Sequence, residues 1–171
     1  MIDKETEQYR FARGQHVVYP RQGVGEVRDI KEREFKGKPT MFYVIYFENS
    51  DMTVSVPIAK IDDLKIRGIV ESDRASKALE AVGCHYDMPT LDWKARYQMN
   101  VDLVNDGTIE SVAKVIHTLF KRSLVKELPV QERKLYDSAM NLLVDEVSYS
   151  LKLEKDEVKT RVMAILQGKD K

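Results

Sequence analysis

The spacing of apolar residues changes once along this chain, and that change constrains the fold more than any other feature. From Gln15 to about Leu64 the apolar residues alternate with polar ones or gather in short β-branched and aromatic runs. Alternation of this kind marks strands with one buried face. After Gly68 the apolar residues fall instead on single stripes at helical spacing. The expected class is α+β: a small antiparallel β-barrel of the Tudor or SH3 kind over 11–68, then a compact all-α domain of about five helices over 69–171.

Strand candidates in the first part are "HVVYP", "GVGEVRDIKEREF", "TMFYVIYFE" and "MTVSVPI". Turn chemistry separates them: Pro20–Gly25, "KGKP" at 36–39, and "ENSD" at 48–51, which should close a hairpin between the third and fourth strands. Val27, Ile30, Phe42, Val44 and Tyr46 are the expected core. In the second part, "SDRASKALEAVG" opens at a Ser72 cap candidate and stops at Gly83. "TLDWKARYQMNVDLVNDG" runs from a Thr90 or Asp92 cap to Asn105–Gly107. "TIESVAKVIHTLFKRSLVKE" carries Ile109, Val112, Val115, Ile116, Leu119 and Phe120 on one stripe. "PVQERKLYDSAMNLLVDEVSYSLK" starts near Pro129, a favoured place for proline, and has Leu135, Met140, Leu143 and Val147 as its stripe. "EKDEVKTRVMAILQG" makes a fifth helix.

Several functions find no support in these residues. The glycines of "GVG" lie between strands rather than before a helix, so they read as a turn or bulge and not as a phosphate cradle. No nucleophile-elbow, zinc-protease or kinase signature occurs. His16, His85 and His117 lack metal-ligand spacing, and the single Cys84 makes neither an internal disulfide nor a cysteine zinc site. Cys84 reads as a small buried residue, His117 as a surface or boundary residue, and the carboxylates as solvated helix faces. The expectation is a non-enzyme with no cofactor, no metal and no small-molecule substrate. No apolar run is long enough to span a membrane, and the polar start "MIDKETEQYRFARG" lacks the apolar centre of a secretory signal, so the expected location is cytoplasmic.

Charge limits how nucleic acid could be held. The 28 basic and 28 acidic residues cancel, and 12 of the former and 11 of the latter precede position 70, so neither part is basic. Binding by bulk charge alone is disfavoured.

The only tryptophan, Trp93, lies in "TLDWKARYQMN" among charges and at an expected helix start. Trp93, Arg96, Tyr97 and Asn100 share one helical face. Spacing alone leaves two readings open. One makes Trp93 and Tyr97 core with Arg96 at their flank, and it is the commoner outcome. The other is an aromatic wedge beside cations at a helix N-terminus, where free N–H groups suit phosphate.

Four blocks in register resemble the bacterial CarD/CdnL family: "FARGQHVVYPRQGVGEV", "MTVSVP", "LDWKARYQMN" with "DGTIESVAKVIHTLFKR", and "LPVQERKLYDSAMNLL". The resemblance runs from about Phe11 to about Leu166. It implies a transcription regulator whose Tudor-like module docks on the RNA polymerase β subunit. The helical domain would then contact promoter DNA at the upstream edge of the −10 element. A tryptophan wedged in the minor groove stabilises the open complex there, chiefly at ribosomal RNA and other housekeeping promoters. Carried over by position, the DNA-facing residues are Trp93, Lys94, Arg96, Tyr97, Arg133 and Lys134. Those facing polymerase are Arg33, Phe35 and Ser55. Gln98 stands where the family commonly has a cation, and Ser55 where some members have arginine. The alternative is an adaptor bridging polymerase to another factor without touching DNA, which expects a fully buried Trp93 and no common face for Lys94, Arg96, Arg133 and Lys134.

Overall fold

Lys36 and Gly37 both adopt left-handed backbone, with φ of 53° and 75°. They close a two-residue hairpin whose turn matches the right-handed twist of the flanking strands. The strands it joins, β2 (Gly23–Phe35) and β3 (Lys38–Phe47), are the longest in the protein. The computed structural model describes residues 9–87 and 89–168. Its chain divides into two compact units, 1–69 and 70–171.

In the first unit, β1 (His16–Tyr19), β4 (Met52–Pro57) and β5 (Arg67–Gly68) complete an antiparallel sheet of order β4-β3-β2-β1-β5. The end strands β4 and β5 are not paired with each other, so the expected barrel is instead an open Tudor-like sheet. A 3-10 turn over Glu48–Ser50, followed by Asp51 in the left-handed region (φ 48°), joins β3 to β4 at "ENSD". The two-residue β5 carries too little pattern to be read from sequence.

Register decides the core. Val27 pairs Ile45 and Ile30 pairs Tyr43, while a bulge between Val27 and Asp29 shifts the ladder by one residue. The core is therefore built on Tyr43, Ile45 and Phe47 with Val27, Val56, Phe11 and Val17. This corrects the expected set in part: Val44 and Tyr46 alternate onto the opposite face and are only half-buried, while Phe42 on that same face is buried as expected and Ile30 packs against the core. Gly25 is not in a turn. It lies within β2 under the core, where a Cβ would come 2.6 Å from the Ile45 Cγ2 and 2.8 Å from the Phe47 ring.

The second unit holds α1 (Ser72–Val82), α2 (Trp93–Asp106), α3 (Ile109–Val125), α4 (Val130–Leu151) and α5 (Lys155–Leu166). The cap of α1 is Glu71 rather than Ser72, which is the first helical residue. Asp92 caps α2, accepting from the Ala95 N–H at 2.9 Å, and Thr108 caps α3, accepting from the Ser111 N–H at 3.2 Å. The α3 and α4 stripes form one core with Ala75, Ala78, Leu79 and Val82 of α1 and Val158, Val162 and Leu166 of α5.

Polar groups also enter this core. His117 is buried, not at the surface, and its Nδ1 lies 2.6 Å from the Val82 carbonyl. Burial holds its pKa below the usual histidine value, against the pull of that hydrogen bond. Glu132, Asp145 and Glu146 are buried carboxylates rather than solvated ones. Glu146 accepts from the Val70 N–H at 3.1 Å and Ser150 donates to the Val70 carbonyl at 2.7 Å, which ties the start of the unit to α4. Cys84, expected to be buried, is exposed just beyond the Gly83 stop.

Candidate polymerase and nucleic-acid surfaces

Helix α2 is the least apolar of the five in its buried set, which is Arg96, Asn100 and Val104. Asn100 is fully buried, and neither its Oδ1 nor its Nδ2 has a hydrogen-bond partner. No protein group pairs with the Asn100 amide, so it supplies no directional contact to the seating of the helix. Arg96 has only 7% exposure and forms a bidentate pair with Glu132 of α4, Nε to Oε1 at 2.6 Å and Nη2 to Oε2 at 2.8 Å. The ion pair and hydrogen bond to Glu132 raise the guanidinium pKa further. Its remaining Nη1 reaches the Leu91 carbonyl at 3.4 Å.

This arrangement separates the six residues expected at DNA. Arg96 faces inward, its guanidinium occupied by a carboxylate, and is not an exposed cation available to phosphate. Tyr97 is half-buried against the helical core. Trp93 is instead exposed, at 39%, as the first residue of α2. The Lys94 ammonium lies 5.9 Å from its ring centroid. A lysine in a first helical turn opposes the macrodipole, at a cost of roughly 0.3–1 kcal/mol, so its position there is not accounted for by helix stability. Arg133 and Lys134 are exposed on α4 directly after Glu132, and the Arg96–Glu132 pair brings the starts of α2 and α4 together. At ~100° per residue, Arg133 lies a quarter-turn from the α2-facing Glu132, and Lys134 lies beyond a half-turn.

Further along α2 the surface changes sign. Gln98 donates to Asp102 Oδ1 at 2.9 Å, and an open groove runs past Ala95, Gln98, Met99, Asp102, Leu103 and Asp106. Two carboxylates on that strip make it a poor bed for phosphate, so the cationic surface is confined to the first turn.

On the first unit, the register places Arg33, Phe35 and Ser55 on one face of the sheet. Arg33 pairs Thr40, Phe35 pairs Lys38, and Ser55 pairs Val44, all in the parity opposite to the core. Phe35 is 47% exposed and packs edge-on against Phe42 at 6.0 Å between centroids. Residues 31–39 are all exposed, so the hairpin end stands as a solvent-facing ribbon beyond the reach of β4. Ser55 is half-buried on β4, whose outer edge has no strand partner among the described residues.

Among the described residues no His, Cys, Asp and Glu group could hold a metal ion, and no helix is long and apolar enough to cross a membrane. Glu132 escaped the sequence reading although a signal existed: a carboxylate on the Leu135–Ala139 stripe requires a buried partner.

The protein thus pairs an open β-sheet module bearing an exposed aromatic ribbon with a helical unit that exposes a tryptophan and a lysine at the start of α2. Residues 11–70 match the family described as CarD-like/TRCF RID domain, and residues 77–163 match CarD, C-terminal domain. The Bacillus subtilis (strain 168) protein named "Putative transcription factor YdeB" is 31% identical over 151 residues, covering 88% of this chain and 98% of that one. The chain belongs to the CarD family of transcription regulators, which is not a family of enzymes.

Proposed function

We propose that this protein docks on the RNA polymerase β subunit through its sheet module and stabilises the open promoter complex through Trp93. It would do so at the upstream edge of the −10 bubble, in the cytoplasm, and chiefly at ribosomal RNA and other housekeeping promoters. The observation that carries the DNA half is the 39% exposure of the only tryptophan, on the first residue of a capped helix and beside Lys94. An aromatic wedge enters an unstacked step while cations hold the phosphates, and the unstacking cost of a few kcal/mol is already partly met at a melted edge. The adaptor reading expects a buried Trp93, and the exposure counts against it; its other expectation, cations without a common face, is met at Arg96, which turns inward to Glu132.

Zero formal net charge suits a tethered binder. Docking on polymerase supplies an effective concentration in the ~mM range, so a modest DNA contact suffices. A wedge flanked by phosphate contacts carries little base code, so sequence preference is weak. For the sheet module, the edge of β2 over 31–35, which lies beyond its pairing with β1, can add a strand from its partner, with Arg33 and Phe35 supplying specificity. Arg96 serves as a positioning residue in this scheme, not as a phosphate contact.

The test is the decay of polymerase–promoter open complexes with and without the protein. Trp93→Ala should keep co-purification with polymerase and lose the gain in lifetime. Arg33→Glu should lose co-purification. An unchanged lifetime with Trp93→Ala would refute the wedge.

A further inference from the structure

We infer that Glu132 is a positioning residue for Trp93: it orients the first turn of α2 through Arg96 and so sets how the indole is presented. The inference rests on the proposed role of Trp93, which neither the fold nor the family match assigns to any partner of that residue. Glu132 has no solvent exposure and gives both carboxylate oxygens to one guanidinium, at 2.6 and 2.8 Å. Bidentate pairing of this kind fixes direction as well as distance. The third nitrogen of the same guanidinium reaches the Leu91 carbonyl at 3.4 Å, so one side chain grips the segment entering α2 on one side and α4 on the other. Trp93 sits between those grips, two residues after Leu91 and one helical turn before Arg96.

Besides this pair, the first turn has the local Asp92 cap on the Ala95 N–H, which ties it to no other helix, and the half-buried Tyr97, whose apolar packing sets no direction. Asn100, one turn further on, has neither polar atom bonded. Val104, the remaining buried residue of α2, lies near its far end. Apolar contact is non-directional, and a buried ion pair commonly stabilises no better than an apolar pair of the same volume. What the pair supplies here is the orientation of the first turn.

Because Trp93 is the only tryptophan, its emission reports its own position without labelling. Glu132→Gln keeps the shape of the side chain and removes its charge. Arg96→Lys keeps the charge but loses the planar fork that spans Glu132 and Leu91, and it is the variant to measure if Glu132→Gln fails to fold by circular dichroism. In the free protein either variant should raise acrylamide quenching of Trp93 and shorten its rotational correlation time on the fast, local component. In the open-complex assay either should lose most of the lifetime gain, and combining it with Trp93→Ala should cost nothing further. Unchanged quenching and anisotropy would overturn the inference. So would an additional lifetime loss in the double variant, which marks Glu132 as merely stabilising. If Trp93→Ala alone leaves lifetime unchanged, the wedge reading fails, and the fluorescence arm still decides whether Glu132 positions the indole.

Discussion

In the proposed scheme, salt dependence counts the phosphate contacts of the helical unit, and the burial of Arg96 sets that count. Each contact releases condensed counterion, so log K falls with log salt at a slope of about −0.9 per contact. With Lys94, Arg133 and Lys134 exposed and Arg96 held by Glu132, the slope should be about −2.7, a loss of roughly 40-fold between ~50 and ~200 mM salt. Were Arg96 also on a phosphate, the slope would be about −3.6 and the loss roughly 150-fold. The assay is titration of a forked promoter duplex at several salt concentrations, followed by Trp93 emission. Lys94→Gln and Arg133→Gln should each make the slope shallower by about 0.9. Lys134→Gln should do the same. Arg96→Met should weaken binding through a displaced first turn and leave the slope alone. A slope near −3.6 that becomes shallower with Arg96→Met would refute the assignment of Arg96 as an internal residue.

Two further outcomes follow from the cores. His117 has a folded-state pKa below its unfolded value of 6.5, from burial first and then from Lys121 and His85. The unfolded chain therefore binds the proton more readily. The stabilisation is complete above pH 6.5 and declines as pH falls through the folded value, at up to about 1.4 kcal/mol per pH unit. Chemical denaturation of the helical unit at several pH values checks this, and His117→Gln should flatten that part of the profile. In the sheet unit, Gly25→Ala drives a methyl against Ile45 and Phe47 and should cost about 1–3 kcal/mol or more, read as a lowered thermal midpoint with α-helical signal retained.

Most of the architecture was legible because it depends on local chemistry. Period-two and helical spacing, turn residues at 36–39 and 48–51, and the Asp92, Thr108 and Gly107 boundaries act over a few residues each, and the structure follows them. Parity on β3 was not legible. Val44 and Tyr46 are as apolar as Ile45 and Phe47, and only pairing across the Val27–Asp29 bulge selects the fully buried row. His117 and Cys84 exchanged their expected environments for a related reason: burial depends on which neighbour covers a position, and here Val82 and Tyr86 pack on His117.

The sequence by itself determined two modules, their elements and the family, since short-range periodicity and motif order survive without knowledge of contacts. Only the tertiary structure decided the division of labour at the start of α2. Trp93 and Arg96 lie one turn apart and looked alike as candidates on one face. Glu132, 36 residues beyond Arg96, draws the guanidinium inward and leaves the indole outside. A long-range ion pair of this kind leaves no local pattern, because neither partner's neighbours in sequence specify the other.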